Sequence, residues 1–348
     1  MLHLLQKHTI DIYNLNNEEY IVENVKADTL LDCNRFDLFA KIGYIRNKEL
    51  NNDLAISIYS EHIKAFNPDL KEPGRDDKNG LDDFINTFDE LIDKLKSNSF
   101  DPNISLIPID KNGIILDGAH RVSALAYYNK SVDVIRFPNV TSKAIFNYQY
   151  FRKRGLSNDI LDKIALEALF NKDNIYVACL WPKMGNYKKR SLAIDLLEKK
   201  YKILYTKEMT MSLNDLSMFI YEIYKEQDWV GNVDNNFAGA RNKATFCYAK
   251  NSLVKFVFFQ ADNLNNVLAL KDEIRDIFNF GKHSIHITDN HKETIDIANL
   301  ILTEKVKDYN KGLGRLKDTL SEQFTIFKNV HWINFKVLIA SLINKILN

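Results

Sequence analysis

The sequence contains little cysteine, proline or glycine: its 348 residues include 3 Cys, 6 Pro and 12 Gly. The cysteines, at positions 33, 179 and 247, are too few and too scattered for a disulfide framework or a cysteine zinc site. They therefore favour a reducing compartment. The scarcity of glycine and proline accompanies an abundance of Asn, Lys, Ile and Asp, which indicates an AT-rich genome rather than a special fold.

An excess of charge of one sign is also lacking. The chain has 47 Lys and Arg residues and 46 Asp and Glu residues, so its formal net charge is +1. No global positive field is available to hold a nucleic-acid backbone, and any such binding would have to be local. The sequence shows neither a stretch of about 18 uncharged apolar residues nor an N-terminal secretion signal. We therefore expect a cytoplasmic protein.

What remains is the composition of a globular protein, with 45% hydrophobic and 27% charged residues. Alternating helix and strand patterns predict an α/β (α+β) fold with more than one domain. We expect a first domain over residues 1–145, a second α/β domain over residues 146–312 and a helical tail over residues 313–348. Residues 330–347 carry an amphipathic stripe, which predicts a helix that docks on protein or contacts the surface of the inner membrane.

The periodicity of apolar residues predicts the elements of both domains. In the first, Phe84, Phe88, Leu91, Ile92 and Leu95 have helical spacing. Residues 105–109 and 114–116 predict a hairpin around the turn Asp110–Gly113, followed by a helix from about Gly118 and a strand over residues 132–136. In the second, strands are predicted over residues 175–181, 201–205, 244–248, 254–259 and 283–288, and helices over residues 187–200, 214–224, 264–279 and 291–303. Ser212 is the predicted N-cap of the helix over residues 214–224.

The segment Asp117-Gly118-Ala119-His120-Arg121 follows an apolar strand and opens a helix. Free backbone N–H groups and the positive end of the helix then lie beside a guanidinium, which suits a phosphate. Gly118 and Ala119 let an oxyanion approach the backbone, Arg121 can bind two phosphate oxygens, and His120 can donate a hydrogen bond or a proton. Asp117 is a candidate metal ligand or base. The alternative is that Asp117 is an N-cap and His120 and Arg121 form an exposed first turn.

This segment resembles the nucleotide-binding turn of the ParB/sulfiredoxin fold superfamily, over about residues 100–136. Asp117-Gly118-Ala119-His120-Arg121 is most similar to the Asp-Gly-x-His-Arg form of the free-serine kinases of that fold. The resemblance implies that the turn binds ATP or a related nucleotide with magnesium. Sulfiredoxins have a catalytic cysteine where this chain has Ala119, so reductase activity is not expected. The resemblance to ParB proteins leaves a nucleotide-gated DNA-binding or regulatory module as an alternative, against which the missing helix-turn-helix pattern counts.

The serine kinases also use an upstream carboxylate as a base, for which Asp32, Asp37 and Glu61 are the candidates. We select Asp37 as a catalytic candidate, although Asp37 and Lys41 at i, i+4 on one helix equally predict a plain ion pair.

A second constellation of polar residues lies between residues 236 and 294. Its candidate site residues are Asn236, Arg241, Lys243, His283, His286, Asp289 and His291. Alternation along a strand puts His283 and His286 on opposite faces, so a zinc site is not favoured. The helix predicted to begin after Asp289 has two interpretations. Its N-terminus is a second candidate anion-binding site, or Asn290 and Glu293 simply form a capping box there. The segments 235–243 and 281–294 resemble uncharacterised bacterial proteins found with cell-envelope polysaccharide genes.

The combined expectation is a kinase-like enzyme that transfers a phosphoryl or nucleotidyl group from a nucleotide to a small hydroxylated acceptor, in envelope polysaccharide synthesis. The remaining alternative is a transferase whose active site lies in the second domain alone.

Overall fold

The computed structural model describes residues 1–72, 75–97, 100–183, 187–250 and 253–306. The chain forms two compact units, Met1–Asp173 and a second that begins at Asn174. This division lies further along the chain than the expected one after residue 145. The predicted α/β class is confirmed, and none of the described helices is long and apolar enough to cross a membrane. The expected tail over residues 313–348, including the helix at 330–347, lies outside the described residues.

The first unit contains a three-stranded sheet. Its central strand is the last of the three in chain order. Strands β1 (Ile21–Lys26), β4 (Ile107–Ile109) and β5 (Ser131–Arg136) are arranged in the order β1-β5-β4. β1 is antiparallel and β4 parallel to β5. β2 (Lys71–Glu72) and β3 (Arg75–Asn79) form a separate antiparallel pair.

Seven α-helices belong to the described part of this unit. They are α1 (Lys7–Tyr13), α2 (Phe36–Lys48), α3 (Asn52–Phe66), α4 (Leu81–Ser97), α5 (Ala119–Tyr127), α6 (Tyr148–Lys153) and α7 (Asn158–Asn171). The predicted apolar stripe is confirmed in α4, where Phe84, Phe88, Ile92 and Leu95 are buried. Every residue of α2 from Phe36 to Ile45 is buried, so this helix forms the centre of the unit and its polar residues require partners. α7 packs on α2 and α3, which is why the first unit extends to Asp173.

The predicted turn at Asp110 is confirmed. Asp110 is buried, and its Oδ1 accepts hydrogen bonds from the backbone N–H groups of Asn112 (2.8 Å) and Ile114 (2.9 Å). The predicted hairpin is present as a single antiparallel bridge between Ile109 and Ile115. Backbone hydrogen bonds from Asp110 N to Ile114 O (2.9 Å) and from Leu116 N to Pro108 O (2.8 Å) flank this bridge.

The second unit has a four-stranded antiparallel sheet in the order β7-β8-β6-β9. The strands are β6 (Ile175–Leu180), β7 (Lys202–Thr210), β8 (Leu253–Gln260) and β9 (Ile285–Ile287). The helices are α8 (Tyr187–Lys200), α9 (Leu213–Tyr224), α10 (Ala238–Cys247), α11 (Leu264–Phe278) and α12 (His291–Ile301). Val257 and Phe259 of β8 pack with α8 and α11 on one face. Phe256 packs on Phe219 of α9 on the other, with ring centroids 5.5 Å apart.

One predicted element is wrong. Residues 244–248 are part of the helix α10 and its end, not a strand. Ala-Thr-Phe-Cys-Tyr favours a strand locally, but Ala240, Ala244 and Cys247 are buried at helical spacing, so packing overrides that preference. Two predicted caps are confirmed: Ser212 forms a capping box with Asp215, and Asn290 Oδ1 accepts from the Glu293 N–H at 2.9 Å.

Candidate functional site

The turn at residues 117–121 follows the bridge residue Ile115, which pairs with Ile109 of β4, and leads into α5. Gly118 is the N-cap of α5 and has a left-handed backbone (φ 88°, ψ 25°). A Cβ on Gly118 would lie 2.6 Å from Cδ1 of Ile107 and 2.9 Å from Nη2 of Arg121. Because Gly118 has no side chain, it can adopt the left-handed conformation of the turn and leaves space for the guanidinium of Arg121. The alternative that Asp117 is the N-cap is wrong, because the αL conformation at Gly118 starts the helix one residue later.

Arg121 lies across this turn. Its Nη1 donates to Oγ of Ser105 at 2.7 Å, and its Nη2 donates to Oδ2 of Asp117 at 3.3 Å. The side chains of Arg121 and Asp117 are 18% and 24% exposed, so both remain within reach of a ligand. The alternative of an exposed first turn is therefore wrong for Arg121, whose side chain is partly buried and held by Ser105 and Asp117.

His120 faces inward from the same turn. Its Nε2 lies 2.8 Å from the hydroxyl of Tyr59, and its ring packs edge-on against Phe88 at 4.7 Å between centroids. Burial, assisted by the positive charges of Lys41 and Lys78, holds the pKa of His120 well below its usual value. The imidazole is therefore neutral at neutral pH, with one ring nitrogen that donates a hydrogen bond and one that accepts.

Asp37 occupies a buried charge cluster on α2. Arg35 binds both of its oxygens, with Nε–Oδ1 2.8 Å and Nη2–Oδ2 2.9 Å, and Lys41 Nζ lies 3.4 Å from Oδ2. Burial opposes ionisation, but the charges of Arg35 and Lys41 hold the pKa of Asp37 well below its usual range. The ion pair expected between Asp37 and Lys41 is confirmed. Because the carboxylate is 1% exposed and engaged on both oxygens, its geometry favours a positioning role over that of a base.

Arg35 connects this cluster to the turn. Its Nη1 donates to the carbonyl of Ile115 at 2.7 Å. Burial lowers the pKa of Arg35, but the charge of Asp37, with a smaller contribution from Asp117, raises it overall. Asp37 thus orients a cation that also lies within electrostatic range of Asp117.

His62 on α3 is the least satisfied polar residue of this region. It is fully buried, and among the described residues neither of its ring nitrogens has a hydrogen-bond partner. Burial, with the charge of Lys41, lowers its pKa well below the usual value. A buried imidazole without partners costs stability, so it is typically retained for a reason other than packing.

The other candidate carboxylates have local structural roles. Oδ1 of Asp32 accepts from the Asn34 N–H at 2.9 Å. Oε2 of Glu61 accepts from Oγ of Ser157 at 2.8 Å, next to the start of α7. Within the described ranges, no group of three or more His, Cys, Asp or Glu residues is arranged to hold a metal ion.

The second unit contains a cavity of about 550 Å³ between α9, α10, α11 and β9, here called the second-unit pocket. It brings together four of the candidate residues of the second constellation: Lys243, His283, His286 and Asp289. The three others, Asn236, Arg241 and His291, do not line it.

His286 is fixed by a tyrosine of α9. The hydroxyl of Tyr224 lies 2.9 Å from Nδ1 of His286. Burial, with the charges of Lys271, Lys243 and Arg275, lowers the pKa of His286 to about 3. Burial and the charges of Lys243 and Lys282 lower the pKa of His283 to about 4. Both imidazoles are therefore neutral at neutral pH.

Several residues that complete the two regions were missed by the sequence analysis. In the first unit they are Tyr59, His62, Lys78 and Ser105; in the second they are Tyr224 and Phe246. The sequence did signal the positive charge of this pocket, through the one-turn spacing of Lys271 and Arg275 before the histidines and through Lys282 beside them.

No protein-family model matches the chain, and no curated protein is significantly similar to it.

Proposed function

We propose that the first unit binds ATP or a related nucleotide at the Asp117–Arg121 turn, and that the protein transfers a phosphoryl or nucleotidyl group from it to a small hydroxylated acceptor. The acceptor class we propose is a building block of a cell-envelope polysaccharide. The corresponding location is the cytoplasm, at the inner face of the membrane. The observation that carries the proposal is that Ser105 and Asp117 hold Arg121 across the N-terminus of α5, next to His120, on which the charges of Lys41 and Lys78 act.

This arrangement supports phosphate binding for three reasons. The backbone N–H groups of the first turn of α5 have no acceptor within the helix, and the helix end is positive. Arg121 is held in place by Ser105 and Asp117, so little side-chain entropy is lost when it binds an anion. Lys41 and Lys78 are 4% and 6% exposed, and their charges act at His120 with little screening by solvent.

The residues of the turn also fit a nucleotide accompanied by magnesium. Arg121 and the backbone N–H groups would hold phosphate oxygens, and Asp117 would be the protein carboxylate on the metal. Magnesium sites at phosphates commonly use only one or two carboxylates. When bound, the ion supplies neutralisation of the charge on the phosphates.

Of the two candidate catalytic carboxylates, Asp117 is the more accessible to a ligand. Asp117 is 24% exposed, and its described ion pair with Arg121 is 3.3 Å long, whereas Asp37 is 1% exposed and is held by Arg35 and Lys41. The neutral imidazole of His120 can accept or donate a hydrogen bond at the same turn. Asp37 contributes by fixing Arg35.

The test is isothermal titration of the full chain with ATP, ADP, CTP and UTP in the presence of magnesium. We expect one of these nucleotides to bind the wild-type protein. Its affinity for the Arg121→Ala variant should be at least tenfold lower. Arg152→Ala is the matched control, because it removes an exposed guanidinium of the same unit from α6. Unchanged binding by Arg121→Ala, or no binding of any nucleotide to the wild type, would overturn the proposal.

A further inference from the structure

The second-unit pocket is strongly cationic. Lys243, Lys271, Arg275 and Lys282 line it, and Asp289 is its one carboxylate. Lys271 is paired with Asp289 at 2.5 Å, and Arg275 Nη1 is paired with Asp272 at 3.1 Å. The cavity volume of about 550 Å³ lies within the usual range for small-molecule sites, about 300–1,000 Å³.

Two of these cations are left without an anionic partner. Within the described residues, neither Lys243 nor Lys282 is paired with a carboxylate; Lys243 Nζ donates to the carbonyl of Lys282 at 3.3 Å and lies over the ring of Tyr224. Lys243 is 9% exposed, and burial lowers its pKa. Placing like charges together at a half-buried site costs free energy, which a bound anion would recover.

Unsatisfied donors face the same region. Nε of Arg275 and Nδ1 of His283 are buried without a hydrogen-bond partner in the described part of the chain. His283 is stacked on Phe246, with centroids 4.7 Å apart and an interplanar angle of 29°. Its ring orientation is thereby fixed. A ligand with several acceptor oxygens would satisfy both groups.

Part of the pocket lining is aromatic. Trp229 is 45% exposed and packs on Tyr224 with centroids 5.2 Å apart. A half-exposed tryptophan beside a cationic cavity offers a flat apolar surface on which a ring can stack. The pocket therefore presents cations at one part and an aromatic surface at another.

We propose that the second-unit pocket binds a phosphate ester whose phosphate contacts Lys243, Arg275 and Lys282 and whose ring system packs on Trp229. A phosphate ester fits better than a carboxylate, because its two negative charges match the two unpaired lysines and its three oxygens match the separate donors. The residues of this site all belong to the second unit, and the proposal does not rest on nucleotide binding at the Asp117–Arg121 turn.

The experiment measures the contributions of the phosphate and of the ring to binding, and it distinguishes binding at the second-unit pocket from binding at the Asp117–Arg121 turn. The full chain is titrated with AMP, which has a phosphate and a ring, with adenosine, which has the ring alone, and with inorganic phosphate. The titrations are repeated in Arg121→Ala, so that binding at the first unit does not contribute. We expect AMP to bind at least tenfold more tightly than adenosine or inorganic phosphate and to quench the tryptophan fluorescence.

Two variants assign the binding to the pocket. Lys282 is exposed, so Lys282→Glu leaves the fold intact while reversing a charge; we expect AMP and phosphate to bind at least tenfold more weakly, with adenosine unchanged. Trp229→Ala should lower the affinity for AMP several-fold and leave the affinity for inorganic phosphate unchanged. Lys200→Glu, on the exposed side of α8, is the matched control and should not alter binding.

Three results would overturn the proposal: equal affinity for AMP and adenosine, unchanged AMP binding in Lys282→Glu, or no binding of AMP and phosphate at millimolar concentration. Loss of nucleotide binding in Arg121→Ala alone, with AMP binding at the pocket retained, would separate the two sites.

Discussion

The hydroxyl of Tyr59 lies 2.8 Å from Nε2 of His120, so a residue of α3 fixes the imidazole at the start of α5. The same hydroxyl lies 3.3 Å from the carbonyl of Phe84 on α4. Tyr59 therefore joins three helices at the candidate nucleotide site. Its ring also packs on Phe88, against which His120 rests.

Tyr59→Phe tests this relationship. The change keeps the ring stack and removes the hydrogen bonds, so we expect the free energy of unfolding to fall by about 1 kcal/mol. Because His120 loses its fixed orientation, nucleotide affinity should also fall several-fold. Urea unfolding followed by circular dichroism and titration with the bound nucleotide measure the two effects. A stability loss with unchanged affinity would show that His120 does not contact the ligand.

Asp37→Asn should destabilise the first unit strongly. The substitution leaves the buried guanidinium of Arg35 and the ammonium of Lys41 without their carboxylate, for which we expect a cost of about 3–5 kcal/mol. The triple variant Arg35→Met, Asp37→Leu, Lys41→Met removes all three charges of the cluster and should recover much of that loss. If the triple variant is less stable than Asp37→Asn, the cluster stabilises the fold by its net attraction and the expectation is wrong.

Gly118→Ala should impair both folding and nucleotide binding. The residue has φ 88°, which strains any L side chain, and the new Cβ would meet Ile107 and Arg121. We expect a loss of about 1–3 kcal/mol in the free energy of unfolding. Gly113→Ala, at φ 81° with only Arg136 at 3.9 Å, is the matched control for backbone strain without the clash. Equal losses in the two variants would mean that the space at Gly118 is not needed.

The second unit should lose stability as the pH falls below about 6.5. The pKa values of His283 and His286 are lowered to about 4 and about 3 in the folded chain, whereas an unfolded histidine titrates near 6.5. Between these values the unfolded state binds more protons, so the free energy of unfolding falls with decreasing pH, by up to about 1.4 kcal/mol per pH unit per histidine.

Urea unfolding followed by tryptophan fluorescence measures this pH dependence, because Trp181, Trp229 and Trp332 all lie in the second half of the chain. Carboxylates also titrate at low pH, so His286→Gln is compared with the wild type under the same conditions. We expect a shallower slope between pH 4 and pH 6.5 for His286→Gln. Parallel slopes would show that His286 is protonated equally in the folded and unfolded chain.

The local elements were largely predictable, and the assembled sites were not. The stripe in α4 and the cap at Ser212 depend on residues within one or two helical turns, which periodicity and capping rules detect. The partners of the histidines are distant: Tyr59 and His120 are 61 positions apart, and Tyr224 and His286 are 62 apart. Only tertiary packing brings such pairs together, so a single sequence contains no local pattern for them.

The burial of Asp37 illustrates the same limit. The i, i+4 spacing with Lys41 indicated an ion pair, but not that all of α2 from Phe36 to Ile45 is covered by other elements. Nor did the sequence indicate that Arg35 would bind both oxygens of that carboxylate. This bidentate pairing is what separates Asp37 from the more accessible Asp117.

The strand order of the second unit has a consequence for biosynthesis. β6 is the first strand to leave the ribosome, yet it lies between β8 and β9, pairing Ile175 with Gln260 and Ala178 with Ile287. β6 therefore has no strand partner until β8, which begins 73 residues after β6 ends, has been translated, and its second edge stays unpaired until β9, which begins 105 residues after β6 ends. A chain released before residue 285 would expose an unpaired sheet edge prone to aggregation.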